Sequence, residues 1–452
     1  MTQYTLAGGG QPTPEQRKTS RKAAGAALIG TSIEWFDFYA FGTAAALVFG
    51  ELFFPKDLAP AVATLAAMAT FAAGFVLRPL GGIVFGHLGD RIGRKKTLII
   101  TLVMMGVASI AIGLLPTHAQ VGGWAAVLLV GLRVVQGLAI GGEWGGAVLV
   151  AVENAPANRR SFYGSFPQMG SSVGALLSTG LFALLNSVLS HEQFLAFGWR
   201  VPFLASAVLV VVGFLIRRSL DETPAMKQVL ASAERSKLPV LDVVRTAPGM
   251  LVLGVLTLSV GTGGYYMVTT YLTTYGTEHV GLNAQLILSG LSIAAAVELV
   301  ITPVIGWLGD RRTPHLVVMV GLLAVLVIAP FQFLVLNTGS ALLITAAMVA
   351  MRIAQSAAFA PVSSVLAEAF TPAVRYTGIS ISYQFANLIF GGLVPLGAVA
   401  LLVAIPSAWP VVVALMVMSA VGAASVWAMR RTWTSTPAGL REHATECHRL
   451  TA

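Results

Sequence analysis

The sequence predicts an all-α membrane protein with twelve transmembrane helices in two pseudo-symmetric six-helix bundles. Of the 452 residues, 56% are hydrophobic and only 10% are charged, and the mean hydropathy is +0.80. Soluble domains carry about 25% charged residues, so this composition excludes a water-soluble fold. A charged string also recurs, because Asp90-Arg91 follows one apolar stretch and Asp310-Arg311 follows another 220 residues later. This recurrence predicts a duplicated bundle.

Twelve stretches are candidates for membrane crossing, since a membrane-spanning helix needs about 20 mostly apolar residues. We number them span one to span twelve, at approximately 24–49, 61–88, 97–115, 124–151, 161–188, 199–216, 249–275, 284–308, 315–336, 340–366, 376–403 and 409–429. The predicted domains are an N-terminal tail at 1–23, an N-terminal bundle at 24–216, a linker at 217–248, a C-terminal bundle at 249–429 and a C-terminal tail at 430–452. The short connections within each bundle suit antiparallel neighbours.

The basic residues predict the orientation in the membrane. If the N-terminus is cytoplasmic, 23 of the 28 Lys and Arg lie in cytoplasmic segments, and only Lys56 and Arg200 lie on the outer side. This asymmetry is the positive-inside rule, and it predicts a plasma or inner membrane protein with both termini cytoplasmic. The net charge of +9 is therefore a topology signal that brings contact with the lipid bilayer. It predicts no nucleic-acid partner, and we expect a monomer.

Ionisable residues inside the spans are candidates for function, because each is costly there unless it is paired or hydrated. Glu34 and Asp37 are three residues apart and share one face of span one. Two carboxylates so close in a low dielectric resist ionising together, so one of them is suited to load and release a proton. Parallel repeats of six helices are one way in which secondary transporters are built. We therefore predict that Asp37 couples transport to protons and that Glu34 is the second candidate. The alternative is that both are permanently paired and structural.

Span four carries a polar stripe formed by Arg133, Gln136 and Glu143. Arg133 is suited to hold a substrate carboxylate with two hydrogen bonds, or to pair with Asp37. Arg352 is its counterpart in span ten, 219 residues later, and Glu298 in span eight is its expected partner, either permanently or when substrate is absent. The other residues predicted to line a central substrate site are Gln168, Tyr265, Tyr266, Tyr383, Gln384 and Asn387.

Charged residues at the cytoplasmic ends of the spans predict a gate. Glu153 precedes Arg160 by seven residues, and Glu368 precedes Arg375 by the same spacing. Topology anchoring does not explain a repeated spacing of acid and base, whereas a lock between the two halves does. The predicted gate residues are Asp90, Arg91, Arg94, Glu153, Arg160, Asp310, Arg311, Glu368 and Arg375.

Several motifs give the chain a specific resemblance. Gly86 to Lys96 resembles the loop 2–3 signature of the major facilitator superfamily. Three further motifs resemble the metabolite:proton symporter branch of that superfamily. They are Glu34-Trp35-Phe36-Asp37-Phe38, Arg78-Pro79-Leu80-Gly81-Gly82 and Gly141-Gly142-Glu143-Trp144. Within that branch, the chain resembles the shikimate and dehydroshikimate carriers in the segments 152–158, 176–181 and 198–203.

This resemblance implies twelve helices, alternating access by rocking of the halves, and proton-driven uptake of small organic acids or zwitterions. It places the proton and substrate roles on Asp37 and Arg133. The second hinge departs from the family signature, because Asp310 and Arg311 are followed by Arg312-Thr313-Pro314 without the glycine and bases of the first.

The predicted function is import of a small organic acid, such as a shikimate-like monocarboxylate, by proton symport. Two alternatives within transport are a 2-oxoglutarate or citrate symporter and a betaine or proline symporter. The alternative outside transport is a nutrient sensor. We expect no enzyme, since the histidines lie near span ends and no nucleophile–base pair is evident. The single cysteine, Cys447, excludes disulfides, and we expect no metal and no cofactor beyond the proton gradient.

Overall fold

The computed structural model describes residues 13–55, 57–231, 236–394, 397 and 407–435, and these residues form helices and no strand. Eleven helices within these ranges are long and apolar enough to cross a membrane. Predicted span eleven begins as the helix Arg375–Ala386 and continues as the wide turn Asn387–Leu393. Most of its remainder lies outside the described residues, as do Lys56, the first twelve residues of the N-terminal tail and the C-terminal tail beyond 435 with Cys447.

The N-terminal half contains spans one to six, which are the helices Pro14–Ala44, Pro60–Ile92, Arg94–Gly113, Trp124–Glu153, Phe166–Val188 and Arg200–Arg218. Short helical pieces extend or connect them at Ala45–Phe49, Gly50–Phe53, His118–Val121, Ala157–Arg159, Arg160–Gly164, His191–Gln193 and Phe194–Gly198. Span one begins at Pro14, inside the predicted tail, because Thr13 and Gln16 form a capping box. Gly93 alone separates spans two and three, with a φ of 112° that favours glycine.

The predicted linker is partly helical, with helices at Pro224–Ala231 and Pro239–Thr246. The C-terminal half then begins with span seven, which is irregular: Pro248–Thr257, Val260–Gly264, Met267–Tyr271, Leu272–Thr274 and Tyr275–His279. Spans eight to ten and twelve are Ala284–Arg311, Pro314–Leu336, Ala341–Phe359 continued by Val362–Ala369, and Trp409–Ser435. Wide π turns such as those at 260–264 and 267–271 often occur at functional sites.

Small residues bring spans two and four into direct backbone contact. A Cβ atom added to Gly141 would lie 2.6 Å from the Gly81 Cα atom, and one added to Gly137 would meet the backbone of Gly74. Glycines spaced by four residues allow helices to approach this closely in lipid. Their packing sets the position of Arg78, which lies between Gly74 and Gly81.

The two halves meet on the side of the membrane that carries residues 86–96 and 306–312, which we call the hinge side. The Tyr376 hydroxyl donates to the Gly142 carbonyl at 2.7 Å, and the Ser161 and Ser364 hydroxyl oxygens lie 3.2 Å apart. Each of these contacts joins one half to the other, and all four residues are buried. The conformation is therefore closed on the hinge side.

Candidate functional site

Asp37 and Arg133 belong to one polar network inside the N-terminal half. Asp37 is 1% exposed and accepts a hydrogen bond from the Ser206 hydroxyl of span six. Its carboxylate also interacts electrostatically with Ser109 of span three and Arg133 of span four. Gln136 links the last two, because it accepts from Arg133 NH1 at 3.1 Å and donates to the Ser109 hydroxyl at 2.8 Å.

Aromatic rings cover the guanidinium of Arg133. It lies 4.3 Å from the ring centroid of Phe41, 4.9 Å from that of Phe71 and 5.5 Å from that of Phe38. Arg133 is 1% exposed, and Gln136 is fully buried. The structure therefore brings the predicted proton-coupling residues Asp37 and Arg133 together, but it does not place Arg133 or Gln136 with the residues between the halves.

Glu143 is bound within the N-terminal half as well. Arg217 NH1 donates to its Oε2 at 3.2 Å, Arg217 NH2 donates to its Oε1, and the Thr101 hydroxyl donates to its Oε2 at 2.9 Å. Arg217 also donates to the Leu98 carbonyl. The sequence assigned Arg217 to the linker, whereas the structure buries it at the end of span six with 3% exposure. This partner satisfies the carboxylate that the sequence predicted to contact substrate.

Arg78, whose role the sequence left undecided, lies where the halves face each other. Its guanidinium is 4.4 Å from the ring centroid of Phe75 and 4.7 Å from that of Phe38, and it interacts electrostatically with Tyr266 and Tyr383 of the C-terminal half. It is 3% exposed, and its Nε has no hydrogen-bond partner in the part of the chain that the structure describes. No described carboxylate forms an ion pair with it.

Arg352 and Glu298 occupy the C-terminal side of the same region. Arg352 Nε lies 3.6 Å from Glu298 Oε2, and its guanidinium lies 4.5 Å from the ring centroid of Tyr265. Ser172 of the N-terminal half also interacts with Glu298. The Glu298 side chain is 24% exposed although it lies near the middle of its span. The pair expected from the sequence is thus present, and it faces both the opposite half and accessible space.

Three of the predicted lining residues hold the halves together beneath this region. The Trp144 ring stacks on the Tyr383 ring with a centroid distance of 3.9 Å, and Trp144 Nε1 donates to Gln168 Oε1 at 3.2 Å. Gln168 Nε2 in turn donates to the Ser363 hydroxyl of span ten at 2.8 Å. Gln384 Nε2 donates to the Gly141 carbonyl at 3.0 Å. These contacts close the path between the central residues and the hinge side.

Asn387 makes a local contact, since its Nδ2 donates to the Tyr383 carbonyl at 3.0 Å, one helical turn earlier in span eleven. Tyr39 of span one lies close to the opposite half, because it interacts with Tyr265 and Tyr266. Its hydroxyl lies 3.3 Å from that of Ser171 in its own half. The sequence did not single out Tyr39. Its position next to Asp37 in an aromatic run carried no distinguishing signal.

The two hinge aspartates bind helix starts in the opposite half. Asp90 accepts from the backbone N–H groups of residues 376 and 377 at 3.1 and 2.8 Å. Asp310 accepts from those of residues 161 and 162 at 2.7 and 2.9 Å. N–H groups in the first turn of a helix have no partner within the helix, and the helix dipole favours a negative charge there. Each half therefore completes a helix of the other.

Glu153 binds two further gate residues, one from each half. Arg375 NH1 of the C-terminal half lies 3.0 Å from its Oε1, and Arg94 Nε lies 3.6 Å from its Oε2. Arg94 NH2 is also 3.5 Å from Asp90, and the Thr223 hydroxyl of the linker donates to Glu153. The sequence did not predict that the linker takes part in this cluster.

The second gate cluster is built around Glu368. Arg160 of the N-terminal half interacts with it electrostatically, and His315 Nδ1 lies 3.9 Å from its Oε2. Arg311 instead lies 4.1 Å from the ring centroid of Trp307 in its own helix, and the Arg91 side chain is exposed. The two clusters are thus unequal, as expected from the different sequences of the two hinges.

Comparisons with known proteins agree with this architecture. Residues 27–395 match the family model described as Major Facilitator Superfamily. The inner membrane metabolite transport protein YhjE of Escherichia coli (strain K12) is 41% identical over 82% of this chain and 85% of its own length. The shikimate transporter of the same organism is 38% identical over 86% of this chain and 90% of its own length.

A solved structure of the proton:xylose symporter XylE, bound to 6-bromo-6-deoxy-D-glucose, has the same fold with a TM-score of 0.75 at 18% identity, covering 93% of this chain and 97% of that one. The predicted fold class of twelve helices in two bundles is confirmed by these matches. The relatives are transporters and not enzymes, as expected from the sequence. The chain is a multi-pass membrane protein that transports metabolites, and it belongs to the Major Facilitator Superfamily.

Proposed function

We propose that this chain imports a small organic acid, of the class of shikimate-like monocarboxylates, by proton symport. The observation that carries the proposal is the buried guanidinium of Arg78 between the halves, which forms no ion pair with a described carboxylate and whose Nε has no hydrogen-bond partner among the described residues. A buried arginine is costly unless an anion accompanies it, and its planar donors match a carboxylate. A substrate carboxylate supplies that anion.

The charges around the site favour a monocarboxylate. Arg352, the arginine on the C-terminal side of this central region, is already paired with Glu298. One unpaired guanidinium accommodates one carboxylate, whereas a di- or tricarboxylate requires further cations. The rings of Tyr265 and Tyr266 then flank the body of the substrate, and tyrosine hydroxyls suit a hydroxylated ring. The shikimate transporter among the relatives supports the same class.

The proposed proton site is Asp37. Its Oδ2 has no partner in the described residues and is buried, while Oδ1 accepts from Ser206. This arrangement leaves one oxygen for a proton, and Arg133 stabilises the ionised form from the same network.

The proposed conformational state follows from the orientation in the membrane. With the hinge side cytoplasmic and both termini on that side, the closed hinge corresponds to an outward-facing carrier in the plasma or inner membrane. Proton and substrate then enter from outside and leave when the hinge contacts separate.

Uptake into proteoliposomes tests this proposal. We expect wild type to accumulate shikimate when the outside is made acidic, and Asp37→Asn to exchange shikimate across the membrane without accumulating it.

Binding measurements test the role of Arg78. Arg78→Gln should lose shikimate binding, whereas Arg133→Gln should retain it, because Arg133 lies inside the N-terminal half. A thermal-shift panel of shikimate, 2-oxoglutarate, citrate and glycine betaine identifies the preferred class. Accumulation by Asp37→Asn, or unchanged shikimate affinity in Arg78→Gln, contradicts the corresponding part of the proposal.

A further inference from the structure

Glu34 is a buried carboxylate in a mixed charge environment. It is 4% exposed, and its Oε2 has no hydrogen-bond partner in the described ranges. Charged or titratable side chains of four other spans act on it. These are Arg78 of span two, Glu143 of span four, Arg217 of span six and Tyr383 of span eleven. Glu34 thus faces two cations and one competing acid.

The charge of Arg217 is already compensated. Two of its nitrogens donate to the two oxygens of Glu143, and one of them also donates to the Leu98 carbonyl. The pair packs against Gly30, one turn before Glu34 in span one, where an added Cβ would lie 3.3 Å from Glu143 Oε1. The contact with Gly30 and the hydrogen bonds to Leu98 and Thr101 keep this pair in place. Glu34 therefore gains no strong partner on its hinge side.

The charge of Arg78 is not compensated in the same way. Its contacts are the faces of Phe38 and Phe75, which attract a cation without neutralising it. Glu34 is the carboxylate that acts on Arg78 from within the protein, and the substrate carboxylate acts on it from outside. Two anions thus have one cation available to them.

We infer that Glu34 and the substrate carboxylate compete for Arg78, so that binding of substrate places one proton on Glu34. The inference rests on the proposed function, because it takes Arg78 as the substrate anchor. When Glu34 is ionised, it supplies the charge that Arg78 lacks. When an anionic substrate binds Arg78, an ionised Glu34 would add a second negative charge in a site of low dielectric. A proton from solution on a Glu34 oxygen removes that excess, and no other bond changes.

The consequence is a link between substrate affinity and pH. Because binding takes up a proton, affinity falls as pH rises through the range in which Glu34 ionises, by about tenfold per pH unit for one proton. Asp37 lies in the network of Ser206, Ser109 and Arg133, and no described ion pair or hydrogen bond joins its carboxylate to Arg78. Glu34 links the proton to binding, while Asp37 serves the transport cycle.

Calorimetry on the purified full chain in detergent tests this link. The probe is the carboxylate of the thermal-shift panel that stabilises wild type most. Titrations in two buffers of different ionisation enthalpy, between pH 6 and 9, give the number of protons taken up on binding. We expect about one proton for wild type within part of this range. Glu34→Gln should bind the probe with no proton uptake and with a Kd that does not change with pH.

A control variant and two further results separate the outcomes. Glu51→Gln, the same change at an exposed position beyond span one, should keep the proton uptake of wild type. Uptake in Glu34→Gln equal to wild type overturns the inference and leaves the proposed function intact. If no carboxylate of the panel binds wild type, the proposed function fails and the inference fails with it. Should Glu34→Gln not fold, carboxylate binding to wild type without proton uptake overturns the inference.

Discussion

Glu143 and Arg217 form a buried ion pair with two hydrogen bonds, and its energetics follow from burial. Removing one partner of a buried pair leaves the other charge uncompensated, which costs about 3–5 kcal/mol. We therefore expect Glu143→Gln and Arg217→Gln each to lower the stability of the detergent-solubilised protein by this order. The measurement is the free energy of unfolding, or the shift in Tm between variants.

The double replacement is the control for that prediction. Replacing a buried pair by apolar residues of similar volume is often neutral, so Glu143→Leu with Arg217→Met should recover much of the lost stability. A double variant that is as unstable as the sum of the single ones contradicts the assignment of the two residues as a pair.

For single residues, the sequence identified the charged residues within the spans but not their partners. Glu34 and Asp37 share a face of span one, yet Asp37 bonds Ser206 whereas Glu34 faces Arg78. A difference of about 60° around the helix axis is enough to direct them at different neighbours. Serines such as Ser206 give no signal in an apolar stretch. Arg217 was assigned to the linker because it directly follows the apolar stretch of span six.

The contact between spans two and four depends on glycine. Gly141→Ala should destabilise the protein by about 1–3 kcal/mol, because the added methyl group would overlap the Gly81 backbone. Gly131→Ala is the matched control in the same helix, since a Cβ there meets nothing within 4 Å. Alanine also favours a helix over glycine by about 0.5–1 kcal/mol, so the control should be neutral or slightly stabilising. Equal Tm values for both variants would contradict the close approach.

The elements were predicted well where one long apolar stretch makes one helix. They were predicted less well where a helix continues beyond the hydrocarbon or changes its winding. Span one extends back to Pro14 because a capping box stabilises a polar segment. The wide turns of span seven follow from no composition rule, since Val260–Gly264 contains three glycines in a segment that is apolar like its neighbours. The linker helices at Pro224 and Pro239 begin at prolines, which suit a first helical position.

The closed hinge side makes a prediction for the whole molecule. Ser161 and Ser364 belong to opposite halves, and their hydroxyl oxygens lie 3.2 Å apart. In a Cys447→Ser background, Ser161→Cys with Ser364→Cys should form a disulfide that holds the halves closed and reduces uptake to background. Reduction should restore uptake, and each single cysteine variant should transport as the background protein does. Full transport by the cross-linked protein would contradict the prediction that Ser161 and Ser364 must separate during transport.

The recurrence of Asp90 and Asp310 predicted the duplicated halves and the position of the gate. It did not predict that each aspartate binds a helix start in the other half, because a sequence offset carries no information on partners. The substrate site was less predictable still. Arg78 precedes Pro79 in span two, and only the packing of spans two and four shows that it faces Tyr266 and Tyr383.

The reciprocal bonds of the two aspartates also explain why neither half is complete without the other. A lone six-helix unit has no second set of helix starts to receive its own aspartate, so it would leave that acid and those N–H groups exposed on one face. Two parallel copies related by a twofold axis along the membrane normal would satisfy both sets at once. Such a unit would therefore seal its inner surface only as a homodimer, and the present chain makes the same exchange within one polypeptide.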